Sequence, residues 1–257
     1  MGYECFELTV EGGVAHLKMS RPERRNAMTA AFWKELPAIV RGLDAAGETR
    51  AMVLSSSGPH FCAGLDVSMF GSGALGTESV AARKHFKAKL EELQASLSSL
   101  AQAPFPAIAA VQGGCIGGGV DMATACCLRY AIRNAYFVIQ EINIGMMADV
   151  GTFNRMPKQL PEAVVRELGY TGDKLGAERA ERLGFVNGLF DTHEQLVAGT
   201  LEVAQRIAAK APVAIAATKR MISYTRDHSV ADSFDYLNAL QPAIFDIEEI
   251  KRALAKR

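Results

Sequence analysis

Apolar positions alternate at the start of the chain. Phe6, Leu8 and Val10 share one side of a run that ends at Glu11-Gly12-Gly13, and Val14 to Met19 resumes the pattern, which predicts a hairpin over residues 5–19. Thr29 then precedes Phe32, Leu36, Ile39, Val40 and Leu43 at helical spacing, so a helix capped by the Thr29 hydroxyl is expected. Pro37 inside it removes a backbone donor and predicts a kink or a one-turn offset. Ala51 to Ser55 reads as a short buried strand, His60 to Asp66 as a loop, and the glycine-rich stretch 71–76 as a mobile one. A long helix is predicted over about 78–101, stopped by Pro104-Phe105-Pro106. Ala107 to Val111 is a second buried strand, and Gly113 to Gly119 a glycine turn opening a helix near Val120. Extended segments follow near 128–133 and 136–140. Beyond about 155 the pattern is mostly helical, with an extended interlude from Phe185 to Phe190.

Strands and helices thus alternate early and helices dominate late, which predicts an α/β core over 1–195 and a helical C-terminal region over 196–257. The passages 51–70 and 107–125 have similar strand–turn–helix outlines, a hint of a repeated unit. A chain of 257 residues, 49% apolar, can bury a substantial core. Basic and acidic side chains number 28 each, which argues against a nucleic-acid binder. The five cysteines form no CxxC pair and read as free thiols of a cytoplasmic protein. The N-terminal run lacks the pattern of a secretory signal, and the C-terminal Lys-Arg is no peroxisomal signal of the Ser-Lys-Leu type. No stretch approaches the roughly 18 apolar residues of a membrane span, so no membrane partner is expected.

Several chemistries are set aside on local context. Gly71 to Gly76 matches GxGxxG, but no strand precedes it and no acid follows at the dinucleotide distance. There is no GxSxG elbow, Cys115 has no nearby histidine, and no Walker lysine follows the glycines. The five histidines show no ligand spacing, so no metal is expected. The informative stretch is 111–151. Glycines at a helix entrance let a ligand approach the backbone and expose N–H groups suited to a developing oxyanion, although a tight structural turn explains them equally well. Asp121 stands just inside that helix, Glu141 follows the run Tyr136 to Gln140, and Asp149 lies among apolar and glycine residues. By itself Asp149 could be a helix cap. Three acids around one glycine turn raise one another's proton affinity, which serves acid–base chemistry.

These residues resemble the enoyl-CoA hydratase/isomerase (crotonase) superfamily over nearly the whole chain. The resemblance rests on RPERRNAM from Arg21 to Met28, FCAGLD from Phe61 to Asp66, PAIAAVQGGCIGGG from Pro106 to Gly119, and KAPVAIAATK from Lys210 to Lys219. GGCIGGGVD from Gly113, ADVG from Ala148 and SYTRDHSV from Ser223 look like its 3,5- to 2,4-dienoyl-CoA isomerase branch, whereas a plain hydratase is expected to have Glu at position 121 and usually a small residue at 149. The resemblance implies a ClpP-like crotonase fold of repeated β-β-α units with a C-terminal helical trimerisation region, assembled as a homotrimer or a homohexamer. It implies an acyl-CoA substrate, with coenzyme A part of that substrate and no separate cofactor. Asp121, Glu141 and Asp149 fall on the catalytic acids, Leu65 and Gly118 on the oxyanion-hole N–H donors, and Ala63, Gly64, Leu65, Asp66, Val67 and Gly119 on the substrate path. Which of Glu141 and Asp149 serves carbon 2 and which carbon 6 stays open, and Arg24 and Arg25 are either coenzyme A phosphate contacts or a solvated pair. Cys126-Cys127 stands where the family often has Cys-Asp, a change that bears on packing or partner contacts. Hydration of 2-enoyl-CoA, or a non-catalytic RNA-binding or scaffold role, are the alternatives.

Overall fold

In the computed structural model, which describes residues 2–71 and 76–255, β1 (Phe6–Glu11) and β2 (Val14–Met19) form the antiparallel hairpin, turned by Gly12 and Gly13 at positive φ. Residues 72–75, most of the glycine-rich stretch expected to be mobile, lie outside the described residues. α1 (Ala30–Ala46) starts behind Thr29, whose hydroxyl accepts the Phe32 N–H, and buries the apolar face read from the sequence together with Trp33. It is helical through Pro37 without interruption. β3 (Ala51–Ser56) follows, then α2 (Val80–Gln102), capped by Ser79. β4 (Ala107–Val111), β5 (Gly114–Ile116), α3 (Gly118–Ala125), β6 (Leu128–Ile132) and β7 (Tyr136–Val138) come next.

A 3-10 turn at Gln140–Ile144 leads to α4 (Thr152–Arg155), α5 (Glu162–Thr171), β8 (Leu175–Gly176), α6 (Ala177–Arg182) and β9 (Gly188–Phe190). The chain ends in α7 (His193–Ala208), α8 (Pro212–Thr225), α9 (Val230–Ile244) and α10 (Ile247–Ala255).

The six-stranded sheet has the order β1-β2-β3-β4-β6-β9 and is parallel beyond the hairpin; β5, β7 and β8 form a second sheet. β3 and β4 are buried on both faces, which is why they read as unbroken apolar runs. Met52, Leu54, Ala107, Ala109 and Val111 join the larger core with α1, α2 and α3. Ala51, Val53, Ile108 and Ala110 meet Leu196, Ala204 and Ala208 of α7. The boundary expected between 195 and 196 falls inside α7, which packs on the sheet.

Further differences have local causes. Residues 114–116, expected as a glycine turn, pair as β5 with β7 in the register Cys115 to Phe137. Glycine has little strand preference, so this strand exists because its partner does. α3 accordingly begins at Gly118 behind Gly117, which takes φ +52. The extended segment expected over 136–140 stops at Val138, and Glu141 lies in the 3-10 turn.

α8 is pinned to the core by one side chain. Lys219 Nζ donates to the carbonyls of Leu100, Ala103 and Phe105 at 3.0, 2.7 and 2.9 Å, closing the C-terminal end of α2. Ile222, Val230, Phe234, Phe245, Ile247 and Leu254 on α8 to α10 and their links are exposed. Among the described residues, no helix is long and apolar enough to cross a membrane.

Candidate active site

Three short stretches of chain are laced together around the glycine turn. Asn26, in the left-handed region at φ 54, donates its amide to the carbonyls of Ser57 and His60 at 2.9 and 3.1 Å and accepts the Arg21 N–H at 3.0 Å. Met28 pairs with Leu65: its N–H reaches the Gly64 carbonyl at 2.8 Å, and its carbonyl takes the Asp66 N–H at 3.1 Å. Cys62 pairs with Cys115, giving its N–H to the Gly114 carbonyl and accepting that of Ile116.

This lacing sets Gly64 against the entrance of α3. A Cβ on Gly64 would stand 2.9 Å from the Ile116 carbonyl oxygen and 3.3 Å from the Gly118 nitrogen, and φ +86 disfavours any side chain there. The N–H groups of Leu65 and Gly118 have no acceptor among the described residues. Gly118 is the first residue of α3, so its N–H is one that the helix cannot satisfy and the macrodipole favours an anion there. Two free donors, one on the loop at Leu65 and one at the start of α3, can bind one oxygen that gains negative charge.

The three acids converge beside these donors. Asp121, in the first turn of α3, is 1% exposed; its Oδ1 accepts the Thr152 N–H at 2.6 Å, and its Oδ2 has no partner among the described residues. Burial pushes the Asp121 carboxyl up to about 6, with Asp149 adding to the rise and Thr152 and Arg155 opposing it. Glu141 lies against the glycine turn, its Oε1 3.1 Å from where a Cβ on Gly117 would be, and its buried Oε2 is unpaired among the described residues. Burial, then the charges of Asp121 and Asp149, push Glu141 up to about 7. Half-buried Asp149 is raised by burial, and its carbonyl accepts from Gln94 Nε2 of α2 at 2.7 Å. A carboxyl group poised near neutrality, as Glu141 is, can trade a proton with a bound molecule.

The remaining expected positions divide. Gly119 packs on Cys62 and Cys115, where a Cβ would meet Cys62 at 3.1 Å. Ala63 is tied by its N–H to the Arg25 carbonyl. The Asp66 carboxylate is turned inward, accepting from the Ser68 N–H and hydroxyl and facing Arg24 at 3.4 Å, so its side chain is engaged by protein. Val67 is exposed. Arg24 is thereby half of an ion pair, while Arg25 occupies a left-handed position. Cys126 is buried and Cys127 partly so. Sequence patterns did not point to Thr152, Arg155, Gln94 or Asn26. Only Asn26 carried a signal, as a residue type tolerant of left-handed φ within the Arg21 to Met28 motif.

Comparison with known proteins bears on this arrangement. The family model described as enoyl-CoA hydratase/isomerase matches residues 9–256. The chain is 34% identical over 257 residues to the human mitochondrial Delta(3,5)-Delta(2,4)-dienoyl-CoA isomerase, covering 98% of this chain and 78% of that protein. It is 31% identical over 256 residues to the peroxisomal isomerase of that name from Arabidopsis thaliana, covering 98% and 92%. Among solved structures, a Thermobifida fusca YX protein ascribed enoyl-CoA hydratase activity and solved with CoA superposes with a TM-score of 0.83 at 26% identity, covering 98% of this chain and 95% of that one.

Proposed function

The chain belongs to the enoyl-CoA hydratase/isomerase family, and we propose that within it the protein converts 3,5-dienoyl-CoA thioesters into their 2,4-dienoyl isomers. The observation that carries this reading is the third acid. Asp149 lies within electrostatic reach of both Asp121 and Glu141, which supplies a second proton-transfer group beyond the single base a one-carbon shift would need. Similarity to two isomerases of that name supports the same choice.

In the proposed reaction the thioester oxygen sits between the N–H groups of Leu65 and Gly118. Glu141, against Gly117 and so beside that oxygen's position, takes a proton from carbon 2, one bond from the carbonyl. The electron pair left on carbon 2 forms the 2,3 double bond, the 3,4 pair moves to 4,5, and the 5,6 pair takes a proton from Asp149 at carbon 6. One proton leaves and one arrives, so atoms balance and no cofactor is consumed; coenzyme A travels with the substrate. Asp121 strengthens Glu141 as a base through its charge. Two oxyanion donors are each worth about 2.7–4 kcal/mol of barrier, and each positioned proton transfer roughly 10²–10⁴-fold.

The test is a spectrophotometric comparison of purified protein on 3,5-dienoyl-CoA and 2-enoyl-CoA. The reading expects the dienoyl substrate to turn over faster and Asp149→Asn to lose about 10²–10⁴-fold. Faster hydration of the enoyl substrate, with Asp149→Asn harmless, would replace it with a hydratase.

We also infer self-assembly through α8 to α10 as a trimer or a pair of trimers, supported by the exposed Ile222, Phe234, Phe245 and Leu254. Light scattering should give the mass of three or six chains. A cytoplasmic, reducing setting is part of the same proposal, supported by five cysteines that are all free thiols.

A further inference from the structure

The segment that carries Asp149 is held by α2 at two points one turn apart. Gln94 Nε2 reaches the Asp149 carbonyl at 2.7 Å, and the Ser98 hydroxyl accepts from Arg155 Nη2 at 2.8 Å. Between these anchors lie Gly151, at φ +137, and Thr152, whose N–H is given to Asp121. The Arg155 guanidinium folds back over Gly151 so closely that a Cβ there would overlap its Nη1. That Nη1 is buried and has no acceptor among the described residues.

A guanidinium buried with an unsatisfied N–H is costly, and helix α4 is too short to repay it by packing. The charge is answered at a distance. Asp121 is the acid that favours the charged form of Arg155, and Arg155 in turn lowers Asp121, by less than the Thr152 hydrogen bond does. Facing Asp121 in turn are Asp149, Glu141 and the Cys115 thiol, with Arg155 as the cation. Arg155 Nη2 is given to Ser98 and Asp121 Oδ1 takes the Thr152 N–H, while Arg155 Nη1 and Asp121 Oδ2 have no partner among the described residues, so the interaction runs across the Gly151–Thr152 turn rather than through a contact.

We propose that Arg155 is a positioning residue for the carboxylate cluster: clamped by Ser98, it keeps Asp121 ionised, so that the cluster's proton resides on Glu141 or Asp149. This rests on the isomerase reading only for its purpose, since those two acids are the ones assigned to transfer protons. Its physical content, the charge state of Asp121, can be read without substrate.

The experiment is a carboxyl-carbon NMR titration of the full chain labelled at the aspartate carboxyls, with the Asp121 signal assigned by its loss in Asp121→Asn. In Arg155→Gln the Asp121 midpoint should rise by about half a pH unit, and Arg155→Lys should restore most of the shift. A folded Arg155→Gln protein with an unmoved Asp121 midpoint overturns the proposal, because a merely structural arginine would lower the melting temperature without moving that titration. Should Arg155→Gln not fold, Ser98→Ala keeps the charge but releases the clamp; it should move the midpoint the same way by less, and an unmoved midpoint there overturns the proposal equally. Failure to turn over 3,5-dienoyl-CoA alongside a moved midpoint would instead remove the isomerase reading and leave this one standing.

Discussion

Thr152 gives its backbone N–H to Asp121 Oδ1 at 2.6 Å, so an acid from α3 satisfies the first donor of α4. Asp149, the residue whose local context suits a helix cap, does not do this: α4 begins behind Gly151 with no side-chain cap. The capping role at α4 thus falls to Asp121, and the Asp149 side chain takes no part in it.

Asp121→Asn keeps an acceptor for Thr152 and removes a charge that raises Glu141. A base must be ionised to accept a proton, so kcat/KM on 3,5-dienoyl-CoA should climb with pH through the Glu141 value of about 7. Without the Asp121 charge that limb should move to lower pH, by roughly 0.5–1 unit. A pH–rate profile from 5 to 9 checks this, and an unmoved limb would separate the two acids.

Stability should fall as the cluster ionises. Asp121 and Glu141 have folded values of about 6 and about 7, above their unfolded ones, so the folded state holds more protons between about pH 4 and 7. Their contribution is fully present below pH 4 and is lost as pH rises through 6 and 7. Denaturant titrations at pH 5 and 8 should differ by about 4 kcal/mol, and by less in Asp121→Asn.

Gly64→Ala places a methyl group 2.9 Å from the Ile116 carbonyl and 3.3 Å from the Gly118 nitrogen in a backbone region alanine avoids. Separating the two free N–H groups should cut kcat by about 10²–10³-fold. Steady-state kinetics with circular dichroism checks it: a folded variant with full activity would exclude the paired-donor site.

Lys219→Met removes three hydrogen bonds and leaves the carbonyls of Leu100, Ala103 and Phe105, at and just beyond the end of α2, without their partner. Loss of a charged donor should lower unfolding free energy by about 2–4 kcal/mol. Because Lys219 joins α8 to the core, light scattering should also show a smaller assembly.

By itself the sequence determined the elements whose side chains repeat: α1 behind Thr29, the doubly buried β3 and β4, and the long α2 with its proline stop. It also determined which acids and glycines were worth watching, because Gly113 to Asp121 and Ala148 to Gly151 are contiguous motifs. Tertiary structure decided the rest. β5 has two small residues in three and no periodicity of its own, so only pairing with β7 makes it a strand. α7 looked like part of a separate helical region until its small and apolar face met the second side of the sheet. The charge states of Asp121 and Glu141 follow from burial and from one another, and burial is a property of the packed chain. Thr152, Ser98 and Arg155 were invisible for the same reason: a hydrogen bond between residues 31 or 57 positions apart leaves no local pattern to read.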